Sequence, residues 1–386
     1  MKLVFILVFD SSPQYAGVLY KTFSQIRTLI SLGIDAELVL VGDKNRKYRG
    51  IDFINYTSFQ EIEFSQTFNI FSLIKRNRNI HRELKRIISR LGKGDIIYFR
   101  FPSLFKYHWT VLNKTIQCRI ISEHQSKELD EIRLTGSWFK VLTASVFNPL
   151  VRKRIDGFVG VTDEIVNYQL EQLGDMEKPH ITIRNGFDVR SVKIRKILKN
   201  PDNRIDILCV ANVSRWHGLD RLIRGMAVYT GKISLFFHIV GEGDELPVLK
   251  DLVQKLKINN SVIFHGYVGV DDLDAIFDQC HIAVGSLGIH RKGLTETSEL
   301  KCREYTARGI PFIIGCTDAD FPPTYPYIMR VPADETIIDL EELICFTVRA
   351  YEDTEHPVRM REYAEKNLDW SVKLGALKQF FEMIAP

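Results

Sequence analysis

The sequence lacks the short motifs that would identify several common enzyme classes. The serine-hydrolase pattern GxSxG, the metalloprotease pattern HExxH and the Walker A phosphate-binding loop are all absent. The stretch VGEGDE contains GxG but no third glycine, so it is a weak signal for NAD binding. The histidines at positions 81, 108, 180, 238 and 356 show no metal-ligand spacing.

Cysteine is sparse, and its distribution excludes several kinds of site. The six cysteines lie far apart and form no CxxC pair: Cys118, Cys209, Cys280, Cys302, Cys316 and Cys345. A disulfide framework or a zinc site would need closer or paired spacing. We therefore expect reduced, mostly buried thiols in a cytoplasmic protein.

Long hydrophobic runs and a strong charge bias are also missing. The N-terminal stretch MKLVFILVFDSS has an apolar run of about seven residues and no small-residue cleavage pattern, so it predicts a buried strand rather than a signal peptide. No run approaches the roughly 20 residues of a membrane span. The formal charge of +4 does not by itself indicate a nucleic-acid partner, and we expect none.

Strand and helix patterns alternate along the chain and then start again. Alternating βα units predict parallel sheets covered by helices. The polar segment 189–204 interrupts this alternation, so we predict an α/β protein with two doubly wound, Rossmann-like domains that face each other across a cleft. The predicted boundaries are 1–188 for the first domain, 189–204 for a linker, 205–365 for the second domain and 366–386 for a C-terminal helix.

One stretch of the second half has an unusual pair of carboxylates. In HIAVGSLGIHRKGLTETSELKCREYTARGIPFIIG a strand ends near Gly285, and a helix is predicted to end at Gly309. With Thr297 or Ser298 as N-cap, Glu296 lies in the loop before the helix. Glu304 then lies about six residues into it, or about 9 Å along the axis.

The helix start between the two glutamates suits an anion. Free N–H groups and the positive end of the helix dipole bind phosphate, whereas carboxylates repel it and accept hydrogen bonds from hydroxyls. A ligand with hydroxyls on both sides of a diphosphate, such as a nucleotide sugar, fits this order. The alternative is that both glutamates are solvated helix charges, but ligands of this fold class bind after the strands, where the pair lies.

The same residues resemble a known family. The spacing of Glu296 and Glu304, followed by EYTARGIP, resembles the E-x7-E motif of the retaining glycosyltransferases of family 4, which have the GT-B fold. ILCVANVSRWHGLDRLI, HIVGEGDELPVL and VIFHGYVGVDDLDAIF are similar to further segments of their C-terminal domain. IIYFRFPS, IISEHQS, GVTDEI and IRNGFD resemble their N-terminal domain. The sequence is most similar to those of bacterial enzymes that build capsular polysaccharides or exopolysaccharides.

The resemblance implies roles for the second-domain residues. Glu304 would bind the ribose hydroxyls, Glu296 the donor sugar, and the amides of Ser298, Glu299 and Leu300 the diphosphate. Tyr267 and Val268 would flank the base, and Gly241 belongs to the same site. The family has an arginine and a lysine where this chain has Asn212 and His217. Arg215 and Lys301 are therefore candidates to supply the missing positive charge.

The first domain would carry the acceptor side. His124 resembles the family histidine that faces the transferred sugar, and Arg100, Glu123 and Gln125 would line the same wall. Gly17 matches a glycine-rich turn after the first strand, although the usual paired glycines are absent.

The family implies a specific reaction. A sugar would pass from a nucleotide-diphosphate sugar to a polysaccharide or lipid-linked acceptor with retention of configuration. Neither an enzymic nucleophile nor a metal or other cofactor is expected. Asp318 and Asp320 spell DxD, a metal motif of a different fold, which we take to be a chance match. A sugar-nucleotide epimerase of the same fold and a non-catalytic nucleotide-sugar-binding protein are the alternatives.

Two segments raise the possibility of peripheral contact with an anionic membrane. Residues 71–94 form a predicted amphipathic helix with one acid, Glu83, and eight basic residues: Lys75, Arg76, Arg78, Arg82, Lys85, Arg86, Arg90 and Lys93. Attraction to anionic lipid and a solvated surface helix are equally compatible with this pattern. For residues 135–154 the sequence favours a helix in the core or lining the cleft over an interfacial one.

Overall fold

The chain forms two compact units, each built around one parallel β-sheet. The computed structural model describes residues 1–8, 16–43, 59–64, 70–101, 117–134 and 138–385. One unit comprises Met1–Arg184 with Lys373–Pro386, and the other comprises Asn185–Val372. The division thus follows Arg184, whereas we placed the end of the first domain at residue 188.

The first unit contains seven parallel strands in the order β3-β2-β1-β4-β5-β6-β7. The strands are β1 (Lys2–Val8), β2 (Asp35–Asp43), β3 (Phe59–Phe64), β4 (Ile96–Arg100), β5 (Arg119–His124), β6 (Gly157–Gly160) and β7 (His180–Thr182). The helices are α1 (Ala16–Ser31), α2 (Ile70–Ile88), α3 (Glu128–Leu134), α4 (Trp138–Arg154) and α5 (Asp163–Leu173). A last helix, α12 (Trp370–Ile384), brings the C-terminal residues into this unit.

Both faces of the first sheet are buried because helices pack on each side. Val4 and Ile6 of β1 pack with Leu84 of α2 and Leu170 of α5 in one apolar cluster. Successive strand side chains point to opposite faces. On the other face, Phe5 contacts Tyr98, and Tyr98 contacts Phe381 of α12, with ring centroids 4.8 and 5.2 Å apart.

Helix α1 differs in one detail from the predicted apolar face. Leu19, Phe23 and Ile26 are buried as expected, but Ile30 is exposed and Leu29 takes its place in the core. The α1 C-terminus also meets α12, because the Lys378 ammonium donates to the Leu32 carbonyl at 2.9 Å.

The second unit repeats the architecture with six parallel strands in the order β10-β9-β8-β11-β12-β13. The strands are β8 (Arg204–Val210), β9 (Ser234–Val240), β10 (Val262–Gly266), β11 (Ile282–Val284), β12 (Phe312–Ile314) and β13 (Ile328–Arg330). The helices are α6 (Leu219–Val228), α7 (Leu246–Lys255), α8 (Val270–Phe277), α9 (Leu300–Arg308), α10 (Leu340–Glu352) and α11 (His356–Asn367).

The strand order places the point where ligands of this fold class bind. Counted within the second unit it is 3-2-1-4-5-6, so the chain reverses direction across the sheet between β8 and β11. Doubly wound folds bind ligands outside the carboxyl ends of the strands at this reversal. In the first unit the reversal lies between β1 and β4, and the loops after them (9–15 and 102–116) fall outside the described residues.

The segment predicted as a linker, 189–204, packs on the second unit. Arg195 is 4% exposed, and its guanidinium donates to the carbonyls of Gly309 and Cys280 at 3.0 and 2.8 Å. It also contacts the Tyr351 hydroxyl at 2.6 Å and the Nε2 atom of His356 at 2.9 Å. A buried arginine with this many acceptors fastens the segment to the domain.

Two further expectations from the sequence concern the cysteines and membrane-spanning helices. All six cysteines are free, and five of them are buried, the exception being Cys345. In the part of the chain that the structure describes, every helix is too short or too polar to span a bilayer.

The Arg195 contact predicts a pH-dependent stability. Burial, followed by the Arg195 charge, lowers the pKa of His356 to about 4, against about 6.5 in an unfolded chain. Between these values only the unfolded state takes up the proton, so stability falls as the pH falls from about 6.5 towards 4. His356→Gln should therefore remove about 2 kcal/mol of the wild-type loss in unfolding free energy between about pH 7.5 and pH 5. Denaturant unfolding at both pH values measures this.

His180→Gln, at an exposed site of the first unit, is the matched control and should leave the pH dependence unchanged. Equal pH dependence in wild type and His356→Gln would contradict the assignment.

Candidate functional site

The predicted donor-side residues lie in four loops at the carboxyl edge of the second sheet. Asn212, Arg215 and His217 follow β8, and Gly241 follows β9. Tyr267 and Val268 follow β10, and the segment from Glu296 to Glu304 follows β11. Because parallel strands end at the same edge, elements far apart in sequence reach one region.

The loops after β8 and β11 touch at the reversal point. The Leu287 N–H donates to the His217 carbonyl at 2.9 Å. Gly218 has φ +62°, and a Cβ there would lie 2.7 Å from the nitrogen of Gly288. Glycine is therefore required for the two backbones to approach this closely.

Arg291, which the sequence analysis did not single out, locks this contact. Its guanidinium is bidentate to Asp220 at 2.8 and 2.9 Å and also bonds both carboxylate oxygens of Glu335 at 2.9 and 2.5 Å. It further donates to the Arg215 carbonyl at 2.8 Å. The 3₁₀ turn Ile289–Lys292 is thereby fixed against the turn Arg215–His217.

Helix α9 begins later than predicted. Its N-cap is Glu299, so the expectation of Thr297 or Ser298 was wrong. The reason is that the Ser298 hydroxyl accepts the Asn185 N–H at 2.7 Å, and the Asn185 side chain donates to the Ser298 carbonyl at 2.5 Å. The Glu299 carboxylate accepts the Ser286 N–H at 3.0 Å.

The later start moves the anion-binding position. The first N–H groups of a helix have no acceptor within the helix, and here they belong to Leu300, Lys301 and Cys302. Ser298 and Glu299 contribute side-chain contacts that support the loop, whereas the resemblance assigned their amides to the diphosphate.

The two glutamates are held on either side of this start. Glu296 forms a parallel β-bridge with Thr317, which fixes its backbone beside the end of β12. Glu304 accepts a hydrogen bond from Arg308 at 2.8 Å and keeps 19% of its side chain exposed. Counted from the N-cap, it lies five residues into the helix, about 7.5 Å along the axis rather than the predicted 9 Å.

His217 is a neutral donor rather than a replacement cation. Its Nδ1 atom accepts the Ser214 N–H at 2.9 Å, so the ring proton belongs on Nε2. Burial lowers the pKa of His217 well below its ordinary value, and the charges of Lys301 and Lys292 lower it further. His217 can therefore offer a phosphate one neutral Nε2–H donor, and the missing positive charge has to come from elsewhere.

Arg215 stays a candidate for the missing charge, whereas Asn212 carries none. The Arg215 side chain is exposed. Burial raises the pKa of the Glu245 carboxyl, and the nearby Arg215 charge opposes this effect. Asn212 is exposed and uncharged. Arg215 is thus the one arginine or lysine between β8 and α6, and its charge acts on Glu245.

Gly241, Tyr267 and Val268 border the same edge. A Cβ on Gly241, which has φ +115°, would lie 2.0 Å from the Ala211 carbonyl, so the loops after β8 and β9 run side by side. Tyr267 is 37% exposed and Val268 is half-buried.

In the first unit, His124 is buried rather than presented to a sugar. Its Nε2 atom contacts the Ser122 hydroxyl at 2.9 Å, and its Nδ1 atom contacts Glu128 at 2.5 Å. Glu128 in turn pairs with Arg152 at 3.4 Å and Gln169 at 2.8 Å. Both ring nitrogens are therefore engaged inside the unit.

The remaining acceptor-side candidates are also partly committed. Glu123 is buried and bonds Lys21 at 3.0 Å and Gln25 at 3.1 Å. Burial alone would raise the Glu123 pKa, but the Lys21 charge lowers it below its usual value, and burial lowers the pKa of Lys21 to about 8. Arg100 and Gln125 are half-buried.

Gly17 corrects another expectation. It lies in the first turn of helix α1, which begins at Ala16, and not in the loop that follows β1.

The DxD pair is used by the fold. Arg303 is fully buried, and its guanidinium contacts both carboxylate oxygens of Asp318 and, at 2.5 Å, Asp320. It also donates to the Asn185 carbonyl at 2.9 Å. Among the described residues, no group of three or more His, Cys, Asp or Glu is placed to hold a metal ion.

The close approach at Gly218 generates a prediction with a matched control. Gly218→Ala should destabilise the second unit by about 2–4 kcal/mol, from a left-handed alanine and a backbone clash together. Gly293 has nearly the same φ, +64°, in the neighbouring loop, but nothing lies within 4 Å of its Cβ position. Gly293→Ala should therefore cost only the conformational part, about 1–2 kcal/mol. Equal costs in denaturant unfolding would contradict the required contact.

A family and several structures match this chain. Residues 191–318 match the family described as Glycosyl transferases group 1, and this range contains every donor-side residue named above. No curated protein matches the chain at a significant level.

The similar structures cover the chain almost end to end. A sucrose-phosphate synthase from Thermosynechococcus elongatus has a TM-score of 0.72 at 14% identity, covering 100% of this chain and 99% of its own. The Anabaena protein HepE in complex with UDP has a TM-score of 0.67 at 12% identity, covering 99% and 100%. The pneumococcal O-GlcNAc transferase GtfA in complex with UDP and GlcNAc has a TM-score of 0.63 at 9% identity, covering 100% and 99%. At these identities the likeness shows the fold, which is GT-B-like as the sequence predicts. The match to the family Glycosyl transferases group 1 covers about a third of the chain and lies wholly within the second unit.

Proposed function

We propose that this protein is a retaining glycosyltransferase that moves a sugar from a nucleotide-diphosphate sugar to a glycan or lipid-linked acceptor. The observation that carries the proposal is the start of helix α9, where unpaired amides lie between Glu296 and Glu304 beside the strand-order reversal. Two of the similar structures hold UDP, one of them together with GlcNAc, which supports a diphosphate donor.

The arrangement favours departure of the diphosphate. As the sugar–phosphate bond lengthens, negative charge grows on the phosphate oxygens, and fixed donors stabilise that charge. The amides of Leu300, Lys301 and Cys302 are such donors, and each is worth about 3 kcal/mol in comparable sites. We propose that Glu304 accepts from the ribose hydroxyls and Glu296 from the sugar hydroxyls.

We further propose that transfer needs no metal and no enzymic nucleophile. The Asp318 and Asp320 carboxylates are occupied by Arg303, whose charge replaces that of a cation there. The acceptor would attack from the face that the diphosphate leaves, and the departing phosphate would take the acceptor proton.

For the acceptor, two surface features of the first unit support contact with an anionic lipid surface. Helix α2 places Ile80, Leu84 and Ile87 in the core, and its exposed side chains include Lys75, Arg78, Arg82, Lys85 and Arg86. Helix α4 differs from the sequence interpretation because Trp138, Leu142, Val146 and Leu150 are 75, 55, 53 and 48% exposed. Four residues apart, they form one apolar stripe.

The lipid proposal assigns attraction to α2 and insertion to α4. Exposed Lys153 follows Leu150 by three residues in the same helix, and a basic side chain beside an apolar stripe suits anionic headgroups. Both helices pack on the same side of the first sheet, since Leu84 and Val151 belong to one core cluster.

The donor site is tested by separating nucleotide from sugar recognition. Glu304→Ala should weaken UDP binding and lower kcat/KM for a UDP-sugar by at least about tenfold, because a ribose contact is lost. Glu296→Ala should lower turnover as much but leave UDP binding unchanged, because UDP lacks the transferred sugar that Glu296 would hold. Calorimetry and product analysis with an acceptor, both in EDTA, measure these effects and the metal independence.

Glu362→Ala, at an exposed site of α11, is the control and should behave as wild type. Normal turnover in both site variants would end the assignment. Epimerised sugar formed without acceptor would favour the epimerase instead.

Membrane contact is tested by liposome flotation. The protein should float with phosphatidylglycerol vesicles and not with phosphatidylcholine vesicles, in a salt-sensitive way. A Trp138→Ser/Leu142→Ser variant should lose most of the bound fraction, since about 1.5–3 kcal/mol of apolar transfer is lost per side chain. Equal flotation of this variant and wild type would rule out insertion through α4.

A further inference from the structure

The donor site has an unusual distribution of positive charge. A diphosphate brings about two negative charges into the site, and buried or half-buried cations normally balance them. The loop after β8 supplies the neutral Asn212 and a neutral His217, while Arg215 faces Glu245. Two ammonium groups from the segment after β11, those of Lys292 and Lys301, lie near the His217 ring instead.

Lys301 is held in a costly position. It is the second residue of α9, its side chain is 11% exposed, and its Nζ atom is buried without a hydrogen-bond partner among the described residues. The nearest carboxylate oxygen, on Glu299, is 3.7 Å away and already accepts the Ser286 N–H. An ammonium this weakly compensated is destabilising unless a ligand supplies oxygen atoms.

Lys292 is positioned by rigid neighbours. It ends the 3₁₀ turn that Arg291 fastens to Asp220 and Glu335, and Gly293 follows with φ +64°. Its Nζ atom lies 4.4 Å from the centroid of the Trp216 ring. A cation–π contact orients an ammonium over the face of the ring. Trp216 itself precedes His217, so this contact joins the two loops of the reversal point.

We propose that Lys292 and Lys301 bind the donor diphosphate and supply the positive charge that Asn212 and His217 cannot. This inference rests on the proposed function and assigns its leaving-group contacts. When the bond between the anomeric carbon and the phosphate oxygen breaks, the electron pair stays on that oxygen. The two ammonium groups offset that charge, and the His217 Nε2–H adds a neutral hydrogen bond. The acceptor hydroxyl oxygen bonds to the anomeric carbon, and its proton passes to the leaving phosphate.

The experiment compares UDP with uridine, which differ by the diphosphate. Lys292→Met and Lys301→Met should each weaken UDP binding by at least about tenfold in calorimetry and leave uridine binding unchanged. Lys292→Arg keeps the charge and should retain most of the UDP affinity. Lys255→Met, at an exposed position of α7 in the same unit, is the matched control and should bind UDP as wild type does.

A stability readout separates ligand binding from misfolding. Lys301→Met should melt at the wild-type temperature or above, because it removes a buried ammonium that lacks a hydrogen bond. Weaker UDP binding with undiminished stability is the signature of a lysine retained for its ligand.

The outcomes are distinct. Wild-type UDP affinity in both methionine variants would overturn the lysine assignment and leave the proposed function standing. A larger loss for Arg215→Met than for either lysine variant would also overturn it. If the wild-type protein bound none of UDP, GDP, ADP and dTDP, the proposed function itself would fail.

Discussion

The contact between the loops after β8 and β11 is the constraint on which the candidate site depends. It brings Gly218 against Gly288 and places the turn that carries His217 beside the loop that carries Lys292 and leads to α9. The strand order makes this contact possible, because β8 and β11 are neighbours in the sheet although about 70 residues separate them in sequence. Everything proposed for the donor follows from that juxtaposition.

Arginine and lysine side chains make different kinds of contact in this region. The planar, multidentate guanidinium groups of Arg291 and Arg303 bind carboxylates of the protein itself. The Arg221 guanidinium donates to the carbonyls of Thr336 and Leu287. These contacts fix the loops but leave no arginine for a phosphate among them. The charges that act on His217 belong to lysines, and a lysine ammonium is a compact charge with three N–H donors.

Much of this could be predicted from sequence, for physical reasons. Alternating patterns indicate buried strands and amphipathic helices, so two doubly wound α/β sheets could be predicted, and the glycine at 309 indicated the helix end. The GT-B-like fold was implied by the family resemblance. The α9 N-cap was wrong because the partner of Ser298 is Asn185, 113 residues away. His124 resembled a sugar-facing residue, yet its burial depends on Glu128 and Arg152, whose convergence no local pattern shows. The sequence did not single out Lys292, because its contact is with Trp216 on another loop. The run RKG before the E-x7-E spacing was a usable signal for a basic residue near the site.

A crystal structure with a non-hydrolysable UDP-sugar tests the central claim most directly. The account predicts diphosphate oxygens within hydrogen-bond distance of the amides of Leu300 to Cys302 and of the Lys301 ammonium, with Glu304 on the ribose and Glu296 on the sugar. A diphosphate bound away from the α9 start, with both glutamates directed elsewhere, would contradict it.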